Sequence, residues 1–166
     1  MTRGERNVFD RARVIGVALL VVAAGGAFAG AFMNWTTAGV LPPLPETTFE
    51  GPPPEPTDPI SGVETREGNI VLAGATVVLL GATLLGAQRR RGGAWLAFLA
   101  SIVMGSIAIA AYRGIDDIQS GFSQRIDAVG DIDPAAGLAL VATAAVIGLV
   151  GGILGLVATP AAEEPR

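Results

Sequence analysis

An all-α integral membrane four-helix bundle is the fold class this sequence predicts, and three observations carry the prediction. The first is the length of its apolar runs. Four stretches, 14–45, 68–88, 92–112 and 134–162, contain no Asp, Glu, Lys, Arg or His. A bilayer core about 30 Å thick is crossed by roughly 20 apolar helical residues, so each stretch is long enough. The second is composition: 51% of the 166 residues are hydrophobic and the mean hydropathy is +0.54, too apolar for an ordinary water-soluble domain. The third is that every charge falls between or beyond these stretches. A chain of this length makes one domain, a single transmembrane unit over residues 1–166.

The first span is expected at about residues 14–34, roughly 31 Å as a helix, behind Arg3, Arg6, Arg11 and Arg13. Basic residues, an apolar run and Ala27-Phe28-Ala29 also fit a secretory signal with a small-residue cleavage site. The run continues through Phe32, long for a signal core, which favours a retained span. Residues 36–67 then form an outer loop holding eight of the eleven prolines. Proline fixes φ and lacks an N–H, so helix and central strand are excluded. The expectation is extended, polyproline-like chain, solvated by Glu46, Glu50, Glu55 and Asp58. Residues 61–72 read as a turn leading into the second span, about 68–88. Arg89, Arg90 and Arg91 make a short connection to the third span, about 92–112. Beyond it Ile115, Ile118, Phe122, Ile126 and Val129 recur at spacings of 3, 4, 4 and 3, one face of a helix. That predicts an outer amphipathic helix at about 115–129, bent away from the third span at Gly114. Asp133 and Pro134 read as the N-cap and first-turn proline of the fourth span, about 135–158.

Charge sets the orientation. An even number of spans puts both termini and the Arg89–Arg91 connection on one side. That side carries eight arginines and four acids, the other three arginines and eleven acids. The positive-inside rule then makes both termini cytoplasmic, in a multi-pass protein of the cell membrane. Trp35 and Tyr112 fall at the outer boundary and Trp95 near the inner one, where amphipathic rings sit at headgroup level. Within the spans small residues repeat at helical spacing: Gly26 and Gly30, then Gly93, Ala97, Ser101 and Gly105, then Gly148 and Gly152. Lipid is as apolar as leucine, so helices associate through close backbone approach at such residues. Packing within one bundle is the favoured reading, a homodimer seam on the fourth span the alternative.

The spans carry little chemistry. Without cysteine, histidine or lysine, thiol catalysis, imidazole general bases, Schiff bases and the usual soft metal sites are excluded. Thr76, Thr83, Ser101, Ser106 and Thr143 are hydroxyls that bond back to a carbonyl one turn earlier. No ionisable group lies inside a span, which speaks against a proton-coupled transporter or a voltage sensor. Asp127, Asp131 and Asp133 lack the spacing of a calcium loop. The excess of acid speaks against nucleic-acid binding. No enzyme, cofactor or metal site is expected.

A Trp after the first helix (Trp35), a Gly-rich turn before the second (Gly62, Gly68), an Arg-rich inner connection (Arg89–Arg91) and a Gly-rich last helix (Gly148–Gly155) resemble small four-span membrane proteins of prokaryotes. The layout, with its large first outer loop, also resembles claudin-like tetraspans, without the cysteine pair of that loop. The resemblance implies topology and no activity. The functional expectation is a structural or interaction subunit. Its outer face would meet a membrane-protein partner or a second copy, with lipids around it. The alternative is a subunit of an oligomeric channel or small transporter.

Overall fold

A computed structural model of the chain describes residues 3–36, 60–88, 91–123 and 134–159. It is all-α: α1 spans Arg3–Phe32, a single 3-10 turn Gly62–Glu64, α2 Arg66–Gln88, α3 Arg91–Ser123 and α4 Ala136–Ala158. All four helices are long and apolar enough to cross a membrane, through Val8–Phe32, Arg66–Gln88, Arg91–Gly114 and Ala136–Ala158. Each of these helices overlaps one of the four expected spans, the first beginning at Val8, six residues before the expected start.

The helices form a ring in chain order. α1 packs on α2 and α4, α3 packs on α2 and α4, and little touches across the diagonals. The short step from Gln88 to Arg91 makes α2 and α3 antiparallel neighbours. Gln88 and Arg91 therefore mark one end of the bundle, the arginine end. The opposite end, where residues 33–36, 60–65 and 134–135 meet, is the loop end.

Side-chain size is sorted inside out relative to a water-soluble domain, which buries its largest apolar groups. The interior is mostly alanine and glycine; Leu20, Leu85, Met104, Val71, Val78 and Val141 are its largest fully enclosed side chains, and Trp35 closes the loop end. Val22, Leu80, Leu99, Ile109, Val146 and Val157 are exposed on the outside. Small residues let the helix backbones close, while the bulky ones face outward, where hydrocarbon solvates them.

Helix starts are satisfied locally. The Gly68 N–H donates to Thr65 Oγ1 at 3.0 Å, an N-cap on α2. Ser61 N–H donates to Glu64 Oε2 at 2.9 Å across the 3-10 turn. The turn over residues 61–72 thus exists, and α2 begins at Arg66. α4 departs from expectation. Its N-cap is Ala135, with no side-chain cap, and the helix starts at Ala136, so Pro134 is not a first-turn proline. Backbone carbonyls from the end of α1 replace the expected aspartate cap, as described below; Asp133 itself lies outside the described residues.

The outer amphipathic helix also departs from expectation. α3 runs without a break through Gly114 to Ser123, so Ile115, Ile118 and Phe122 continue the third span's helix. A lone glycine costs a helix only about 1 kcal/mol relative to alanine, too little to end one without a competing cap. Ile126 and Val129 lie outside the described residues, as do the proline-rich segment 37–59 and residues 89–90.

Candidate functional site

The most elaborately built feature is a backbone clasp at the loop end, and it starts with the way α1 stops. Met33 N–H still reaches Ala29 O at 3.1 Å. Past it the chain turns extended, and the Trp35 indole folds back so that Nε1 donates to Gly30 O at 2.9 Å. One of the carbonyls that a helix C-terminus leaves open is thereby occupied. The ring is 3% exposed.

Residues 33–36 then serve as the central strip of three. On one side Gly62 N–H donates to Met33 O (3.1 Å) and Trp35 N–H to Ile60 O (2.9 Å). Ile60 N–H donates to Thr36 Oγ1 at 3.2 Å. On the other side Ala135 N–H donates to Trp35 O (2.9 Å) and Gly137 N–H to Asn34 O (3.2 Å). Asn34 bridges to Ser61 and Thr36 to Pro134. Both long connections of this end, 37–59 and 124–133, therefore leave from or arrive at one strip.

Glycine makes the clasp possible. A Cβ on Gly62 would run into the Trp35 indole and lie 2.6 Å from Ala31 O, and one on Gly68 would run into the Gly62 carbonyl. Trp35, Gly62 and Gly68, noticed separately in the sequence, are one stack. Trp35 thus departs from the interface-anchor expectation: it is a buried plug. Trp95 and Tyr112 are 47% and 55% exposed, and Trp95 meets Phe98 edge-on at 5.8 Å.

The small residues line helix contacts inside the chain. A methyl on Gly26 would lie 3.3 Å from Ala144 Cβ, and one on Gly30 2.8 Å from Gly137 O, so both face α4. A methyl on Gly93 would lie 2.6 Å from Gly81 O of α2, whereas Ser101 lies against Gly148 and Gly105 against Ala145, both of α4. The stripe Gly93, Ala97, Ser101, Gly105 is therefore split between two neighbours. Each i+4 step overshoots a full turn by about 40°, which carries the stripe from α2 to α4. Gly152 meets Phe98 of α3. All five glycines of α4 (Gly137, Gly148, Gly151, Gly152 and Gly155) are buried, which leaves the fourth span no glycine seam for a second copy.

The span hydroxyls are self-contained. Thr76, Thr83, Ser101, Ser106 and Thr143 each donate to the carbonyl four residues earlier at 2.8–2.9 Å. Among the described residues no buried side-chain polar atom lacks a partner. Arg91 opens α3; Arg89 and Arg90 lie outside the described residues.

Sequence reasoning missed a second feature, a cleft of about 600 Å³ at the loop end between α3 and α4, bordered by Ile109, Tyr112, Arg113, Leu138 and Ala142. The alanine-rich facing turns were its only trace in the sequence. Comparison of the chain with family models, with curated proteins and with solved structures returned no match.

Proposed function

We propose that this chain is a structural or interaction subunit of the cell membrane, with its loop end outside and turned toward a partner. The observation that carries the reading is the clasp. It brings the ends of both long loop-end connections onto one hydrogen-bonded strip (Trp35 to Ile60 and Ala135 to Trp35, each 2.9 Å). A strip of this kind gives whatever follows it a fixed base, and binding segments held on a rigid scaffold are a recurrent arrangement. The bundle interior supports the same reading by its silence. Leu20, Val78, Met104 and Val141 fill it without exposure, and the one buried polar side chain among the described residues, Ser101, bonds to its own helix. A water-lined route along the bundle axis, which a channel or transporter subunit needs, has no support in such a core.

Orientation follows the charges: both termini and the Arg89–Arg91 connection are cytoplasmic by the positive-inside rule. The partner is another membrane protein or a second copy of the chain.

Cross-linking in native membranes followed by capture in mild detergent tests the reading. The expected result is a cross-linked neighbour attached through residues 37–59 or 124–133. A chain that is monomeric in detergent and has no cross-linked neighbour in the membrane sinks it.

A further inference from the structure

We propose that the cleft between α3 and α4 is a binding site for one anionic phospholipid, with an acyl chain in the groove and the phosphate on Arg113. The inference rests on the helices crossing a bilayer and is independent of the partner surface proposed above.

Glycine placement creates the cleft. Toward the arginine end α4 is drawn against α3, where Gly148 meets Ser101 and Gly152 meets Phe98. At the loop end the glycine of α4 faces away from α3: Gly137 meets Gly30 of α1 and Met33 and Asn34 just past it. α1 stays close to α4 at both ends, through Gly16 with Gly151 and Gly30 with Gly137; what the loop end lacks is an α4 glycine facing α3, and these two helices part there. The resulting space is about 600 Å³, within the range of about 300–1,000 Å³ usual for small-molecule sites.

Its lining is graded. Ala108 and Leu138 are buried and form the floor, while Ile109 and Ala142 are exposed and form the sides. The groove therefore opens sideways onto the outward apolar face and not into the bundle axis. Tyr112 and Arg113 stand at the rim, at the level where the uncharged run 92–112 of α3 ends. Among the described residues Arg113 is exposed and has no ion-pair partner. An apolar groove open to hydrocarbon with an exposed guanidinium at the headgroup level has the polarity of a phospholipid. A guanidinium binds phosphate through two parallel charge-assisted hydrogen bonds.

Native mass spectrometry of the full chain, released from mild detergent doped with phosphatidylglycerol or with diacylglycerol of the same chains, tests this. The wild type should keep one phosphatidylglycerol and shed diacylglycerol. R113Q removes the charge-assisted bonds and should weaken retention about tenfold. R113K, which keeps the charge, should stay between the two, a graded response that a folding defect does not produce. A142F fills the groove and should weaken retention equally, while V157F, on the exposed face at the other end of α4, should behave as wild type.

Equal retention by A142F and wild type overturns the proposal, as does equal retention of diacylglycerol. So does displacement of the lipid by inorganic phosphate alone, which would mean a headgroup site without a chain groove. The chain has no cysteine, so A142C provides a single thiol. Its cross-linking to residues 37–59 in lipid would show the groove filled by the protein itself and would also overturn the proposal.

Discussion

Gly25 and Gly30 lie on the same helix and have opposite surroundings. A methyl on Gly25 meets nothing within 4 Å, whereas one on Gly30 lies 2.8 Å from both Gly137 O and Val141 Cγ2. Gly30→Ala should therefore cost about 1–3 kcal/mol through overpacking. Gly25→Ala should be neutral or stabilising by up to about 1 kcal/mol. Thermal unfolding of the two variants in one detergent checks the order, and the reverse order refutes the α1–α4 contact. The two tryptophans separate in the same way. With Trp35 buried and Trp95 exposed on the outside, the W35F variant, which retains Trp95, should be quenched by brominated lipid. The W95F variant, which retains Trp35, should emit at shorter wavelength and resist both brominated lipid and iodide. W35F also loses the bond to Gly30 O while keeping most of its volume, so it should destabilise by about 0.5–1.5 kcal/mol.

Ser101 shows how elements share one surface. It sits 0% exposed on α3 against Gly148 of α4, yet its hydroxyl serves only Ala97 of its own helix, at 2.8 Å. Ser101→Ala should therefore change stability by no more than about 1 kcal/mol. Ser101→Leu should force α3 and α4 apart at a cost of about 1–3 kcal/mol or more. Denaturant or heat titration of both variants decides it; a large loss in the alanine variant would mean the hydroxyl bonds across helices. The periodicity of small residues made these contacts legible in the sequence as helix packing. Which helix each residue meets was not legible, because a stripe at i+4 drifts around its helix and the sequence does not say where the neighbours stand. α3 past Gly114 teaches a related lesson. The 3, 4, 4, 3 spacing identified helix correctly as far as Ser123, but periodicity is blind to whether one helix ends before another of the same period begins.

Over the whole molecule, the lack of cysteine makes topology directly measurable. Single cysteines at position 5 and position 90 should be protected from a membrane-impermeant maleimide in intact cells, and one at position 48 should react. Labelling at position 90 from outside would invert the whole arrangement, because an even number of spans ties residue 90 to both termini. The inside-out sorting of side-chain size predicts in addition that the chain leaves the membrane only with detergent and aggregates when detergent is removed. The loop end was the least legible region of all. Trp35 read as a belt residue because an indole after an apolar run usually is one. Its burial depends on residues 25 and more positions away in sequence, Ile60, Gly62 and Ala135, closing around it.

What the sequence determined by itself is the solvent and the spans. Whether a segment of 20-odd residues enters hydrocarbon depends on its own side chains and its own backbone hydrogen bonds, both of which are local quantities. Only the tertiary structure decided that Trp35 plugs the bundle, that Ala135 starts α4 on carbonyls from the end of α1, and that α3 and α4 part to leave a cleft. Each of these depends on close approach between segments distant in the chain, and glycine permits that approach without naming the partner.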